Sequence, residues 1–202
     1  VVWPEPGKPQ GMIRTAPITS ELRLAFGSCR VAVPHRPPYS RGRDRNPLKG
    51  KGVDALRALQ VRMKGQPEAE WPDALILVGD QVYADKVSPE VKEKIESRRD
   101  TGEGAGKEIA DFEEYTWLYH ESWGDEEIRW LLASLPSMMI FDDHDVTDDW
   151  NTSGTWVREQ RKKDWWRERL IGAYMSYWIY QHLGNLSPRE LQADPTLKEV
   201  LE

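Results

Sequence analysis

The stretch from Trp71 to Asp85 reads WPDALILVGDQVYAD, and the rest of the chain is best interpreted from it. Its five-residue apolar run, Ala74 to Val78, is bounded by Pro72 and Gly79, which is typical of a buried strand in a parallel or mixed sheet. Asp80 follows at once, since the glycine before it lets the backbone turn. The pattern therefore predicts a strand that carries a carboxylate at its C-terminal tip.

Two more strands are predicted, one before and one after this stretch. Apolar side chains alternate from Leu22 to Phe26, which predicts a strand that delivers Cys29 to a loop. Residues Ser137 to Phe141 predict a third buried strand, which runs directly into Asp142. Ligands of open α/β sheets bind at the carboxyl ends of the strands. The candidate site is therefore the place where Cys29, Asp80 and the acidic loop after the third strand meet.

Helical signals separate and follow these strands. They cover Asp54 to Gly65, an exposed helix at the start of the charged stretch Ser88 to Gly106, Asp111 to Trp123, Asp125 to Leu135, Trp156 to His182, and a capping box from Ser187 to Glu190. The glycines near the end of the charged stretch predict a mobile loop. Strands and helices alternate along the chain, so the predicted fold class is α/β.

The composition excludes several functional classes. The chain has 202 residues, ten Trp and a net charge of -6, which indicates a folded domain and argues against a general nucleic-acid binder. No apolar run is long enough for a membrane span, and the N-terminus lacks the layout of a signal peptide. The only cysteine, Cys29, excludes an intrachain disulfide. The compartment is therefore open, with secreted and cytoplasmic locations both compatible.

From both ends of the chain we expect the sequence to be part of a longer protein. The chain begins at Val1 rather than Met and stops at Glu202 within a helical pattern. The opening stretch holds four prolines and shows no periodicity. We therefore expect residues 1–20 to be a linker or the remnant of a preceding region, and residues 21–202 to form the domain.

A dense acidic run follows the third strand. Five aspartates fall between Asp142 and Asp149, with His144 among them and no Lys or Arg between them. Carboxylates this close disfavour one another's ionisation, and a multivalent cation removes that cost. The alternative is a solvated acidic loop. Because the run abuts a predicted buried strand and contains His144 and Trp150, the metal interpretation is favoured.

The other candidates each have a simpler alternative. Asp80 after a single glycine is, taken alone, more typical of a turn whose carboxylate bonds backbone amides. Cys29 taken alone is more typical of a small buried residue. The basic loop from Arg30 to Lys51 either draws in a phosphate or is simply solvated. Structural hydrogen bonding is favoured for the remaining histidines: His35, His120 and His182.

A family resemblance rests on three motifs taken together. They are FGSCR at Phe26–Arg30, GDQVYAD at Gly79–Asp85, and FDDHDV at Phe141–Val146 followed by DDWN at Asp148–Asn151. In this order they resemble the PhoD-like (alkaline phosphatase D) branch of the metallophosphoesterases, over most of the chain from about residue 22 onward. Ordinary metallophosphoesterases open with an Asp-x-His motif, whereas a cysteine stands there in this branch, which Cys29 matches.

The resemblance implies a set of metal ligands. Cys29 and Tyr83 would be ligands of ferric iron, and Asp80 would bridge the metals. Asp143 would take the place of the usual asparagine ligand, and His144 would be the general acid. A thiolate and a phenolate suit Fe3+ and all-oxygen ligands suit Ca2+, which are the expected cofactors, with other divalent metals as alternatives. Three more residues are candidates for contact with the substrate or with these ligands: Arg30, Asp142 and Asn151.

The resemblance also implies a fold and an activity. The fold would be half of a two-sheet α/β/β/α sandwich, with a mixed sheet flanked by helices. The activity would be hydrolysis of small phosphate monoesters or diesters by a metal-activated hydroxide. The family's later Gly-His-x-His segment has no match, so we expect residues 21–202 to be an incomplete PhoD-like metallophosphatase domain with the first part of the site.

Two alternatives stay open. One is a truncated or degenerate fragment that binds metal or phosphate without catalysis. The other is a thiol hydrolase that uses Cys29, in which a chelator would leave activity intact. The sequence determines neither the preference between monoesters and diesters nor the oligomeric state.

Overall fold

A three-stranded parallel sheet organises the protein. The computed structural model describes residues 21–202, and the expected linker at residues 1–20 lies outside them. The strands are β1 (Leu24–Gly27), β2 (Ala74–Val78) and β3 (Ser137–Ile140), in the order β1-β2-β3. In the register, Ala25 pairs with Leu75, which pairs with Ser137. The α/β prediction is confirmed, and the carboxyl ends of all three strands meet at one edge.

The helices lie close to their predicted positions. They are α1 (Ala55–Lys64), α2 (Pro89–Arg98), α3 (Phe112–Trp123), α4 (Glu126–Ser134), α5 (Gly154–Gln160), α6 (Trp166–Tyr177), a π-helical turn (Trp178–His182), α7 (Leu183–Asn185), α8 (Pro188–Ala193) and α9 (Pro195–Leu201). Seven of them begin at a side chain that accepts an N–H group of the first turn: Asp54, Ser88, Asp111, Asp125, Ser153, Ser187 and Asp194. None of these described helices is long and apolar enough to cross a bilayer.

One predicted helix is interrupted. The pattern predicts a single helix from Trp156 to His182, but α5 ends at Gln160 and α6 begins at Trp166. The turn between them folds the chain back, so that the Trp156 and Trp166 rings meet edge to face with centroids 5.5 Å apart. On one straight helix these rings would be about 15 Å apart along the axis. Aromatic packing therefore overrides the local pattern.

Helices α1 and α4 cover one face of the sheet. Leu75, Leu77 and Met139 are buried against them. Trp130 of α4 is fully buried and lies edge to face with Trp71, with ring centroids 5.5 Å apart. This apolar layer holds the strands in place beneath the candidate site.

The opposite face of the sheet is exposed, contrary to the predicted burial of the strands. The apolar runs predict buried strands, yet Phe26 is 79% exposed and Ile140 is 53% exposed. Leu24, Val78 and Met138 on the same face are exposed as well. Only one face of the sheet is covered by helices within residues 21–202. The apolar runs thus mark strands that have two apolar faces, of which one is open here.

A second apolar cluster lies beyond the carboxyl ends of the strands. It joins α2, α3 and α6 and includes Ile95, Ile109 and Tyr115, each fully buried. Val91 and Ile95 are buried, so α2 is amphipathic and not the exposed helix that the charged stretch predicts. Arg99 donates to the carbonyl oxygens of Gly106 (2.8 Å) and Glu108 (2.6 Å), and so fastens the glycine-containing loop. This cluster is the floor on which the acidic loop rests.

Asn185 closes the outer edge of β3. Its Oδ1 accepts from the Met139 N–H (2.9 Å), and its Nδ2 donates to the Met139 carbonyl (2.7 Å). The side-chain amide thus pairs with the strand as a neighbouring strand would.

Asn185→Ala is expected to lower the free energy of unfolding by about 1–3 kcal/mol, because it leaves both Met139 groups without these partners. The measurement is urea denaturation followed by circular dichroism. The control is Asn46→Ala, which removes a single exposed hydrogen bond from the Lys49 N–H. Equal losses in the two variants would contradict an edge-closing role for Asn185.

Candidate metal centre

The loops after the three strands meet as predicted. The Cys29 N–H donates to the Gly79 carbonyl at 3.4 Å, which joins the first loop to the second. The Asp80 Oδ1 accepts from the His144 N–H at 3.3 Å, and the His144 carbonyl accepts from the Ala84 N–H at 2.9 Å. The second loop is thereby joined to the acidic loop. Residues from three distant parts of the chain form one cluster.

Gly79 is required for this approach. Its φ is +102°, a conformation that other residues rarely adopt. A Cβ at this position would lie 2.4 Å from the Cβ of Asp142. The loop after β3 can therefore pass over the loop after β2 only because residue 79 has no side chain.

The predicted ligand residues lie close together. Single donor atoms of Asp80, Asp143 and His144 all lie within 4.8 Å of one another. The Tyr83 hydroxyl is 3.5 Å from the Asp80 Oδ2, and its ring lies 4.5 Å from the His144 ring. The Cys29 thiol lies outside that group of three, but it is near enough to influence the pKa of both Asp80 and Tyr83. Sulfur, oxygen and nitrogen donors thus face one another at the strand tips.

Backbone strain concentrates in the same place. Within residues 21–202, the residues other than glycine with positive φ are Cys29, Asp80, Asp149 and Asn151. All four lie in the loops that build this cluster. The left-handed conformation costs roughly 1–2 kcal/mol for each such residue. Strain of this kind persists only where the surrounding structure imposes it, and it is enriched at functional sites.

The acidic loop satisfies its own backbone amides. Asp143 accepts from the His144 N–H at 3.0 Å and from the Asp149 N–H at 2.7 Å. Asp142 and Asp145 form a reciprocal capping box around a short 3-10 turn, Asp143–Asp145. The carboxylates therefore bond to backbone amides of their own loop, and these bonds also hold their oxygens in fixed positions. A metal ligand needs the same rigidity.

Two of the predicted ligands have raised pKa values. Burial raises the pKa of Asp80, against a lowering by hydrogen bonding to Cys29 and by His144. Burial, and then the neighbouring Asp80 and Cys29, raise the pKa of the Tyr83 phenol. A phenol and a carboxyl in these surroundings resist ionisation until a cation offsets the cost.

Asp85 is a site residue that the sequence interpretation missed. Its two carboxylate oxygens lie 2.9 and 3.0 Å from the His144 Nδ1, and its Oδ2 also accepts from the Asp148 N–H at 3.0 Å. The His144 Nε2 lies 3.6 Å from the Asp148 Oδ1. Asp85 thus orients the imidazole through Nδ1, and Nε2 lies on the side of Asp148. The signal was present in the GDQVYAD motif, but spacing alone does not pair residues 59 positions apart.

A buried network behind the acidic loop fixes its path. Arg169, with 0% exposure, donates through Nε and Nη2 to the Val146 carbonyl and through Nη1 to Glu108. The Tyr115 hydroxyl donates to the Asp145 carbonyl at 2.6 Å. These contacts hold the backbone of the loop and involve none of the predicted ligand side chains.

Asp145 is held by a second set of contacts. Gln181, placed by the π-helical turn, donates to the Tyr119 hydroxyl at 2.8 Å and to the Asp145 Oδ1 at 3.3 Å. Burial raises the pKa of Asp145 to about 7. Asp145 is therefore an internal support of the loop.

The remaining candidates are placed differently. Cys29 is exposed, so the interpretation of a small buried residue is wrong. Arg30 donates to Asp54 (2.8 Å) and to the carbonyl and hydroxyl of Ser122 (2.7 and 2.8 Å), which anchors the start of the basic loop. Asp142 is exposed beside Gly79, and Asn151 is exposed at the end of the acidic loop.

Together these features define an α/β protein with a candidate metal centre at the carboxyl edge of a parallel sheet. The chain belongs to the PhoD-like phosphatase family, whose profile matches residues 60–192. A solved structure titled "Structure of PhoD" is similar at 18% identity and a TM-score of 0.47, and the match covers 83% of this chain and 26% of that one. The chain thus spans about a quarter of the length of that structure. The comparison with curated proteins found no match.

Arg169→Met is expected to lower the free energy of unfolding by about 2–4 kcal/mol, because the buried Val146 carbonyl loses its donors. The matched control on the same helix is Arg167→Met, whose side chain is 82% exposed. The control should change stability by less than about 0.5 kcal/mol. Chemical denaturation measures both, and similar values would contradict the role of Arg169 as a support of the acidic loop.

Proposed function

We propose that this protein hydrolyses phosphate esters, monoesters or diesters, with bound metal ions. Membership of the PhoD-like phosphatase family supports phosphoester hydrolysis in general. The observation that carries the proposal is the convergence of Asp80, Asp143, His144, Tyr83 and Cys29 at the strand tips. We further propose that residues 21–202 form part of a PhoD-like metallophosphatase domain.

The donor set suits the metals that the resemblance implies. Cys29 and Tyr83 supply the soft thiolate and the phenolate that favour Fe3+, and Asp80 lies beside both. Asp143 adds carboxylate oxygens that suit Fe3+ or Ca2+. When bound, such cations supply Lewis-acid polarisation of the phosphoryl group and make water more acidic.

The chain's own residues account for the proton transfer. In the hydrolysis, a water oxygen forms a bond to phosphorus and the bond from phosphorus to the alcohol oxygen breaks. His144 donates a proton from Nε2 to the departing alkoxide, while Asp85 holds Nδ1. The attacking water releases one proton to solvent, and solvent returns a proton to His144 after the alcohol leaves. The Tyr83 ring packs on the imidazole at 4.5 Å and limits its rotation.

Metal binding is expected to strengthen as pH rises. In the metal-free protein the raised pKa of Tyr83 keeps a proton on the phenol, and a cation must displace that proton to bind the phenolate. Elemental analysis after equilibration with iron or calcium should therefore show more bound metal at pH 8 than at pH 6. Cys29→Ala and Asp80→Asn should each lose most of the bound iron.

The control for these variants is Asp44→Asn, an exposed carboxylate in the basic loop. Iron content unchanged by both ligand substitutions would remove the ligand assignments. Hydrolysis of bis(4-nitrophenyl) phosphate by the metal-loaded protein tests the activity itself. Bound metal without hydrolysis would favour the alternative of a metal-binding protein that does not catalyse.

Asp85→Asn is expected to lower kcat about 10- to 100-fold while KM changes little, because the variant keeps the shape but weakens the hold on His144. His144→Ala should lower kcat at least as far, and the double variant should lose little more than His144→Ala alone. Steady-state kinetics on the same diester measures all three. Additive losses in the double variant would show that Asp85 acts independently of His144.

A further inference from the structure

A cavity of about 230 Å3 shares one wall residue, Tyr83, with the candidate metal centre. It lies between the start of the basic loop, the loop after β2 and helix α3, and Tyr83 lines it. The Tyr83 hydroxyl is 3.5 Å from Asp80, and its ring lies 4.5 Å from the His144 ring. Tyr83 therefore belongs both to the ligand cluster and to the wall of the cavity. A group held in the cavity would lie next to the metal centre.

The wall of the cavity is mainly apolar. Side chains from four separate segments contribute to it, among them Ala32, Tyr39, Leu48, Val87 and Leu118. Leu118 is buried in the apolar cluster beneath, whereas Leu48 is 93% exposed at the rim. An exposed leucine of this kind gains most when an apolar ligand covers it. Sites for drug-sized molecules measure about 300–1,000 Å3, so this cavity suits a single or fused aromatic ring.

The charged groups of the cavity lie around this apolar wall. Lys49 and Lys51 line it, and no ion pair within residues 21–202 engages either of them. Lys86 is paired with Asp148 at 2.7 Å. Glu90 and Glu121 also line the cavity, and burial raises the pKa of Glu121. Arg30 lines the cavity as well, so four cationic side chains face two carboxylates, and this excess favours an anionic ligand, such as a phosphoester, whose apolar part enters the cavity.

We propose that this cavity binds the apolar, ring-sized ester group of a phosphoester whose phosphoryl group lies against Asp80 and His144. The inference rests on the proposed function and names its substrate class: aryl or similarly apolar esters, in preference to small alkyl esters. The apolar wall supplies affinity without directed hydrogen bonds, so ring size and shape determine the preference. The Tyr83 side chain would lie between the ring of the bound ester and the phosphoryl group.

The test compares two non-hydrolysable probes, 1-naphthylphosphonate and methylphosphonate, by isothermal titration calorimetry on the metal-loaded protein. The naphthyl probe is expected to bind at least tenfold more tightly. Ala32→Trp fills the cavity and should abolish that preference while leaving methylphosphonate affinity unchanged. Leu48→Asp, at an exposed position where folding is not at risk, should reduce the preference severalfold. Val53→Asp, a 76% exposed apolar residue outside the cavity wall, is the matched control and should change neither affinity.

The outcomes separate the cavity from the proposed function. Equal affinities for the two probes, with methyl 4-nitrophenyl phosphate still hydrolysed, would overturn the cavity assignment alone. Equal losses for both probes in Ala32→Trp or Leu48→Asp would also overturn it. Absence of both methylphosphonate binding and hydrolysis would overturn the proposed function, and the assignment that rests on it would fail too.

Discussion

The hydrogen bonds from Arg169 and Tyr115 to two consecutive carbonyl groups, those of Val146 and Asp145, hold the candidate site together. Five aspartates in one short loop repel one another, and without an external hold the loop would extend into solvent. Both donors are fully buried, Tyr115 on α3 and Arg169 on α6. They hold the backbone of the loop and are not themselves predicted ligands. The positions of Asp143 and His144 opposite Asp80 follow from this support.

The site combines strain with incompletely compensated charge. Four residues hold the left-handed conformation, and Asp80 and Tyr83 have raised pKa values. Each of these features costs stability in the free protein. A bound cation would recover part of that cost, because it favours the ionised carboxylate and phenolate. Under the proposed function, metal binding and stability of the loops would therefore be coupled. The apolar layer of α1 and α4 beneath the sheet holds the strand tips in place.

Much of the fold followed from local patterns. The apolar run Ala74–Val78 is β2 to the residue, and the N-caps Asp54, Ser88, Asp111 and Asp125 lie where helices begin. The errors arose where tertiary contacts outweighed the pattern. Trp156 and Trp166 pack together and break a predicted helix, and Arg99 fastens a glycine-containing stretch that was expected to be mobile. The strands that were predicted to be buried have one open face, since apolar periodicity does not say what covers a face.

The sequence by itself determined the strand tips and their chemistry: a thiol, a carboxylate and an acidic run each follow an apolar segment, and parallel strands bring such ends to one edge. Only the tertiary structure decided which of these groups touch. Asp85 meets His144 across 59 positions, Arg169 reaches Val146 from another helix, and the cavity beside Tyr83 is built by four segments of the chain. Such pairings depend on how whole helices and strands pack in three dimensions. The distances between these elements cannot be read from a linear pattern.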